Sequence, residues 1–119
     1  MPIHKPEHWC LAIINKKEQK LQYFDSDGGQ DEEVLKFVAM YFVDEVKHKS
    51  GEVIDLSLWN HEYTKNLPRQ ENNYDCGMFM IKYADFCSSS ADIGLCFGQA
   101  DMSYFRQRVV KEILNLRVD

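Results

Sequence analysis

Apolar positions follow two rhythms along this chain. Trp9 to Ile14 is a continuous apolar run, WCLAII, and after the polar turn Asn15-Lys16-Lys17-Glu18 a second short run, LQYFD, extends from Leu21 to Asp25. Two such runs joined by a tight polar turn predict an antiparallel hairpin whose first strand is buried on both faces. Ser26-Asp27-Gly28-Gly29 predicts a turn or loop. From Asp31 to Lys47 the rhythm changes: Val34, Leu35, Phe37, Val38, Tyr41, Phe42 and Val46 recur at spacings of three and four, which predicts an amphipathic helix. Its acidic start (Asp31, Glu32, Glu33) and basic end (Lys47 to Lys49) suit the helix dipole.

Past Gly51 the pattern is weaker. Val53, Ile54, Leu56, Leu58 and Trp59 predict a further strand, with another near Glu62 to Leu67, closed by Pro68. A polar loop follows from Arg69 to Tyr74. Cys76 to Phe86 then reads as a buried helix, broken by Ser88-Ser89-Ser90. A last helix is predicted over residues 101–116, with Asp101 as N-cap and Tyr104, Phe105, Val109, Ile113 and Leu116 on one face. Strands, helix, strands, helix, helix is an α+β order, with helices packed on a small mixed sheet. Its 119 residues suffice for one domain and not two, so residues 1–119 are taken as a single domain.

Composition narrows the function classes. No apolar run approaches the roughly 20 residues that cross a bilayer, and Met1 to His8 lacks the apolar core of a signal peptide. A reducing compartment, cytosol or nucleus, is expected. The net charge is −5 with basic residues scattered, which argues against nucleic acid as a partner, because that affinity comes mainly from Lys and Arg on phosphates. No membrane partner is expected either. The four cysteines, Cys10, Cys76, Cys87 and Cys96, show no C-x-x-C spacing. Neither a disulfide framework nor a zinc site completed by His4 or His61 is expected, and Cys10, Cys87 and Cys96 read as small apolar filler. No metal and no cofactor are called for.

Cys76 differs, because it stands where the polar loop Gln70-Glu71-Asn72-Asn73-Tyr74-Asp75 meets a helix. Only the thiolate is nucleophilic, and a helix N-terminus favours the anion through unpaired N–H groups and the dipole. His8 just before the first strand and Asp25 at the end of the second are brought to the same side of the sheet by a hairpin. A carboxylate there can fix the imidazole's tautomer and stabilise the imidazolium. Gln70, on the approach loop, can donate to a developing oxyanion alongside the backbone N–H of Cys76. Taken singly, each has a plainer reading: Cys76 as core, His8 as solvated surface, Asp25 as a turn former. Their conjunction points to thiol-protease chemistry.

The residues resemble the Ulp1/SENP family of SUMO-specific cysteine proteases. The matching segments are Pro2-Ile3-His4 with His8-Trp9-Cys10-Leu11-Ala12, Tyr23-Phe24-Asp25-Ser26 with Gly28-Gly29, Leu67-Pro68-Arg69-Gln70, Asp75-Cys76-Gly77-Met78-Phe79, and Met102-Ser103-Tyr104-Phe105-Arg106. The resemblance implies a papain-like cysteine protease fold of Ulp1 type, with His8 as general base, Asp25 as its orienter, Cys76 as nucleophile and Gln70 as oxyanion donor. It implies that Trp9 lies over a narrow tunnel for the substrate's Gly-Gly tail; from the pattern alone Trp9 is equally an ordinary packing residue at a strand start. The implied activity is processing of SUMO precursors and cleavage of SUMO–lysine isopeptide bonds, with SUMO and SUMO-conjugated proteins as partners, no cofactor, and a nuclear location. Family domains begin well before the equivalent of Pro2, so the N-terminal portion of the domain, with a second tunnel tryptophan, is expected to be missing, as in a truncated isoform or gene fragment. A monomer is expected, the alternative being self-association through apolar surface that the absent portion would cover. Two other readings stand beside this one: an inactive remnant or a module that binds a SUMO-like protein, and a protease for another ubiquitin-like tail such as NEDD8.

Overall fold

A computed structural model describes residues 1–64, 67–88 and 97–115. The elements in chain order are β1 (Pro2–Lys5), β2 (His8–Asn15), β3 (Lys20–Phe24), α1 (Glu32–Ser50), β4 (Asn60–Tyr63), α2 (Cys76–Ser88), a 3-10 turn (Gln99–Asp101) and α3 (Met102–Asn115). The strands form one mixed sheet in the order β1-β2-β3-β4, with β1, β2 and β3 antiparallel and β4 parallel to β3.

The predicted hairpin is β2–β3, in a register that pairs Leu11 with Phe24 and Ala12 with Tyr23. Alternation along β2 sends neighbouring side chains to opposite faces. Cys10 and Ala12 join Leu21 and Tyr23 against Leu35 and Val38 of α1. Leu11 and Phe24 join Met78, Phe79 and Tyr83 of α2, together with Phe97 and Met102, on the other face. The sheet is thus a central layer between α1 and the α2–α3 pair, which is why WCLAII carries no polar alternation.

Helix α1 starts and stops as its sequence asks. The Asp31 carboxylate accepts the Val34 N–H at 3.2 Å, and Gly51 closes the end in the left-handed region (φ 74°), its N–H donating to the Lys47 carbonyl at 2.9 Å. Helix α2 begins at Cys76 as predicted and runs two residues past Phe86.

The structure departs from these expectations at five points. Pro2–Lys5 is an edge strand that the sequence reading left out; it carries one apolar residue and is held by pairing, from Pro2 opposite Leu11 to Lys5 opposite His8. Val53 to Trp59 forms no strand: Val53 and Leu58 stand exposed, and the backbone turns on Ser57 N–H to the Asp55 carboxylate (2.9 Å) and Trp59 N–H to the Leu56 carbonyl (3.0 Å). The strand lies later, at Asn60–Tyr63, where Lys20 and Gln22 donate to the Glu62 carboxylate at 3.0 and 3.1 Å. These polar cross-strand pairs make a strand of NHEY that apolar alternation misses. The expected strand near Glu62 to Leu67 ends at Tyr63, residues 65–66 being outside the described residues. Asp101 does not start α3; it accepts the Gly98 N–H at 3.0 Å and caps the 3-10 turn instead. The inward face of α3 is set by Met102, Phe105 and Val109, while Tyr104 and Ile113 point outward. Ser89, Ser90, Cys96 and Leu116 lie outside the described residues. No described helix is long and apolar enough to cross a membrane.

Candidate active site

The hairpin register sets the first half of the site. His8 opens β2 and Asp25 follows the last residue of β3, so the two strand ends lie side by side. The His8 Nε2–H donates to Asp25 Oδ1 at 2.7 Å, with Asp25 buried and the His8 ring mostly so. The Asp27 backbone N–H donates to the same oxygen at 2.9 Å, a second tie that fixes the carboxylate's rotamer. With Nε2–H committed to Asp25, the neutral ring offers Nδ1 as its proton acceptor. The Asp27 carboxylate stands 3.5 Å from that nitrogen, at the solvent edge.

The turn after β3 has little room. The Gly28 N–H closes on the Asp25 carbonyl at 2.9 Å with φ 79°, and the Arg69 guanidinium lies where a Gly28 side chain would stand. A Cβ on Gly29 would come within 2.8 Å of Asp25 Oδ2. The Gly28-Gly29 pair is therefore a steric condition on the carboxylate that holds His8.

The second half of the site is the start of α2. Cys76 is its first residue and is buried. Asp75 before it occupies the N-cap position, yet its carboxylate turns the other way. It accepts from Asn72 Nδ2 (2.7 Å), Gln99 Nε2 (2.9 Å), and Arg106 Nε (2.8 Å) and Nη2 (2.5 Å). Burial alone would raise the Asp75 carboxyl, but these donors outweigh it and hold it below the ordinary carboxylate range. Helix hydrogen bonding begins with the Phe79 N–H on the Asp75 carbonyl at 3.0 Å. The N–H groups of the first turn before Phe79 are not taken by the Asp75 side chain, so the positive end of α2 is left for an anion beside Cys76.

The two halves meet through Trp9 and Gly77. A Cβ on Gly77 would lie 3.9 Å from Trp9 Cδ1, so the residues after His8 and Cys76 are in van der Waals reach. Among the described residues no hydrogen bond joins Cys76 to His8, and such pairs often tighten only with substrate bound. Trp9 is about 39% exposed and its ring lies 4.5 Å from that of His4. It is the partly open ring at this edge.

Gln70 comes from the loop between β4 and α2. Its backbone N–H donates to the Ser26 carbonyl at 3.0 Å. The Ser26 hydroxyl donates to Gln70 Oε1, and Gln70 Nε2 donates to the Asn72 carbonyl at 2.5 Å. The same loop is anchored by the Tyr83 hydroxyl donating to the Pro68 carbonyl.

Of the four predicted site residues, the structure joins His8 directly to Asp25 and ties Gln70 to Ser26, the neighbour of Asp25, while Cys76 approaches His8 through the Gly77–Trp9 contact of the residues that follow them. What the sequence reading did not assign is the framework: Ser26 on Gln70, Gly29 against Asp25, and Arg106 with Gln99 on Asp75. Ser26, Gly29, Asp75 and Arg106 each fall inside quoted motifs, which is a signal of place but not of role. Among the described residues, the other cysteines are Cys10 and Cys87. Burial pushes the Cys10 thiol up, and it faces the Tyr23 hydroxyl at 3.1 Å in the core; burial likewise raises Cys87. Such thiols stay protonated and inert. The one described cluster of three metal-type ligands, His8 with Asp25 and Asp27, is the histidine–carboxylate group just described.

Residues 1–118 match the C-terminal catalytic domain of the Ulp1 protease family. The chain belongs to that family. It is similar to the ubiquitin-like-specific protease ESD4 of Arabidopsis thaliana, with 52% identity over the whole chain and 24% of that protein. It is 38% identical to the human Sentrin-specific protease 2, over 97% of the chain and 20% of that protein. Among solved structures it resembles the C-terminal Ulp1 protease domain in complex with SMT3, the yeast ortholog of SUMO (TM-score 0.74, 29% identity, 96% of this chain and 50% of that one). It also resembles the SUMO protease Ulp1 with its catalytic cysteine oxidised to a sulfonic acid (TM-score 0.79, 27% identity, 96% and 51%). The α+β architecture is thus a partial Ulp1-type fold. The chain spans about a quarter of the length of the curated relatives it matches, and about half of the solved domains.

Proposed function

We propose that this chain carries the catalytic centre of a SUMO-specific thiol protease. The observation that carries the reading is the 2.7 Å His8–Asp25 pair at the hairpin's end, in a fold that sets the Cys76 helix start against the next residue, Trp9. In this reading His8 Nδ1 takes the Cys76 proton and Asp25 steadies the imidazolium. The thiolate adds to the carbonyl carbon after the substrate's Gly-Gly. The resulting oxyanion is met by the Gln70 amide and the backbone N–H of Cys76. Collapse breaks the C–N bond, with His8 returning its proton to the departing amine, a lysine side chain or a peptide nitrogen. Water, deprotonated by His8, then hydrolyses the thioester and frees Cys76. Trp9 covers the Gly-Gly segment and admits residues without side chains.

SUMO is the favoured modifier because the similar proteins are named for it: a Sentrin-specific protease and a Ulp1 domain in complex with a SUMO ortholog. Both maturation of the precursor tail and deconjugation, in the nucleus, belong to this reading. The test is release of a fluorophore amide-linked to the C-terminal Gly-Gly of SUMO, run beside NEDD8 and ubiquitin versions. Turnover of the SUMO substrate that is lost in Cys76→Ser supports it. Turnover unchanged in Cys76→Ser, or a preference for NEDD8, rejects it. SUMO binding without turnover would make the chain a binding module instead.

A further inference from the structure

We propose that Ser26 is a positioning residue: it holds the Gln70 side-chain amide so that one N–H remains free for the oxyanion. The inference rests on the protease reading and assigns a part to a residue outside the four named above.

The two ends of the Gln70 amide are told apart by their partners. The Asn72 carbonyl can only accept a hydrogen bond, so the group 2.5 Å from it must be the Gln70 NH2. Oε1 therefore faces Ser26, whose hydroxyl donates to it. An amide nitrogen carries two hydrogens. One is spent on Asn72, and the other is left over. Ser26 is about 1% exposed, so water does not readily replace its hydroxyl. Its carbonyl also accepts the Gln70 backbone N–H at 3.0 Å. The residue thus grips Gln70 at both main chain and side chain.

Ser26 directly follows Asp25 in the chain. Consecutive residues therefore hold the two groups that must act together, His8 through the Asp25 carboxylate and Gln70 through the Ser26 hydroxyl. One peptide unit sets the distance between the proton acceptor and the oxyanion donor. Without the hydroxyl, Oε1 is left without its donor. The glutamine, with its flexible torsions, then spends part of its time turned away, or presents an oxygen to the developing negative charge. That penalty falls on the transition state rather than on substrate binding.

The test is a double-mutant cycle on the purified chain with Ser26→Ala, Gln70→Ala and the pair, reading kcat and KM on the SUMO fluorogenic substrate, with side-chain amide NMR of Gln70 alongside. Ser26→Ala should lower kcat about 10-fold, part of the 10²- to 10³-fold that one oxyanion donor typically supplies, with KM within twofold. In the Gln70→Ala background the same substitution should cost nothing further. An equal loss in both backgrounds, or a loss confined to KM, would overturn the proposal. The two Gln70 amide proton shifts, held apart in the unsubstituted chain, should collapse toward free-glutamine values in Ser26→Ala; unchanged shifts would also overturn it. If the unsubstituted chain does not turn over, the protease reading fails while the NMR arm still decides whether Ser26 holds Gln70. Should Ser26→Ala fail to fold, Ser26→Cys, a weaker donor of similar size, carries the same comparisons.

Discussion

The junction between the β2–β3 ends and the start of α2 contrasts with the outer side of α1 and the segment after it. At the junction, polar groups are buried and matched: Asp25, Ser26 and Asp75 are nearly inaccessible and each is hydrogen-bonded. On the outer side, Phe37, Met40, Tyr41, Val53 and Leu58 are apolar and exposed, with Leu58 at about 90%. The hydrophobic effect accounts for neither region: it gains nothing from apolar side chains left in water, and it does not favour burying polar ones. Burying polar groups costs free energy unless every partner is supplied, and at the junction the partners are supplied, which makes it the place where the proposed chemistry is to be tested.

The largest expected effects fall on the junction. Cys76→Ser and His8→Ala should each lower kcat at least about 10³-fold, with melting temperatures little changed, because the proposed mechanism uses them as nucleophile and base and both substitutions are small. Asp25→Asn should cost on the order of 10³-fold, because an amide can present its N–H to the ring and favour the wrong tautomer. Assay of kcat beside thermal melts separates chemistry from folding. Loss of fold in all three would collapse the contrast between the regions.

Gly29→Ala should follow, with kcat down about 10-fold. The added Cβ must clear Asp25 Oδ2, 2.8 Å away, and a displacement well under 1 Å of a positioned group costs on this scale. Gly28→Ala is strained as well, by its positive φ and by Arg69. Unaltered kinetics in Gly29→Ala would show that the turn adapts and the carboxylate stays in place.

Asp75→Asn acts on stability, by about 2 kcal/mol for a buried carboxylate losing charge-assisted donors, Arg106 itself being half-exposed. The Asp75 carboxyl is held below its ordinary range in the folded chain. Its contribution is therefore fully present above the unfolded value and lost as pH falls through the folded one. Melting curves of the two proteins should converge in acid. The smallest effect belongs to the other region: Phe37→Lys on exposed α1 should move stability by less than about 0.5 kcal/mol and leave kcat unchanged.

The same contrast explains what the sequence made legible. The hairpin, α1 and α2 were readable because apolar spacing, Asp31, Gly51 and the Cys76 junction all agree locally. The His8–Asp25 pairing was readable because a hairpin register brings residues 8 and 25 together without any long-range guess. Strand β4 was not, because NHEY is held by polar pairs across to Lys20 and Gln22. Val53 to Trp59 misled for the opposite reason, having apolar residues but no strand pairing, its backbone turning instead on the Asp55 carboxylate and the Leu56 carbonyl. Ser26 and Arg106 were visible as motif members, but their roles depend on contacts with Gln70 and Asp75, 44 and 31 residues away in sequence, and no periodicity reports those.

The most direct test of the central claim is reaction of the purified chain with SUMO bearing a C-terminal electrophile, followed by mass spectrometry of the adduct. One adduct is expected, mapped to Cys76, absent in Cys76→Ser and strongly slowed in His8→Ala. A folded chain, by circular dichroism, that forms no adduct, or one labelled at the same rate without His8, would contradict it.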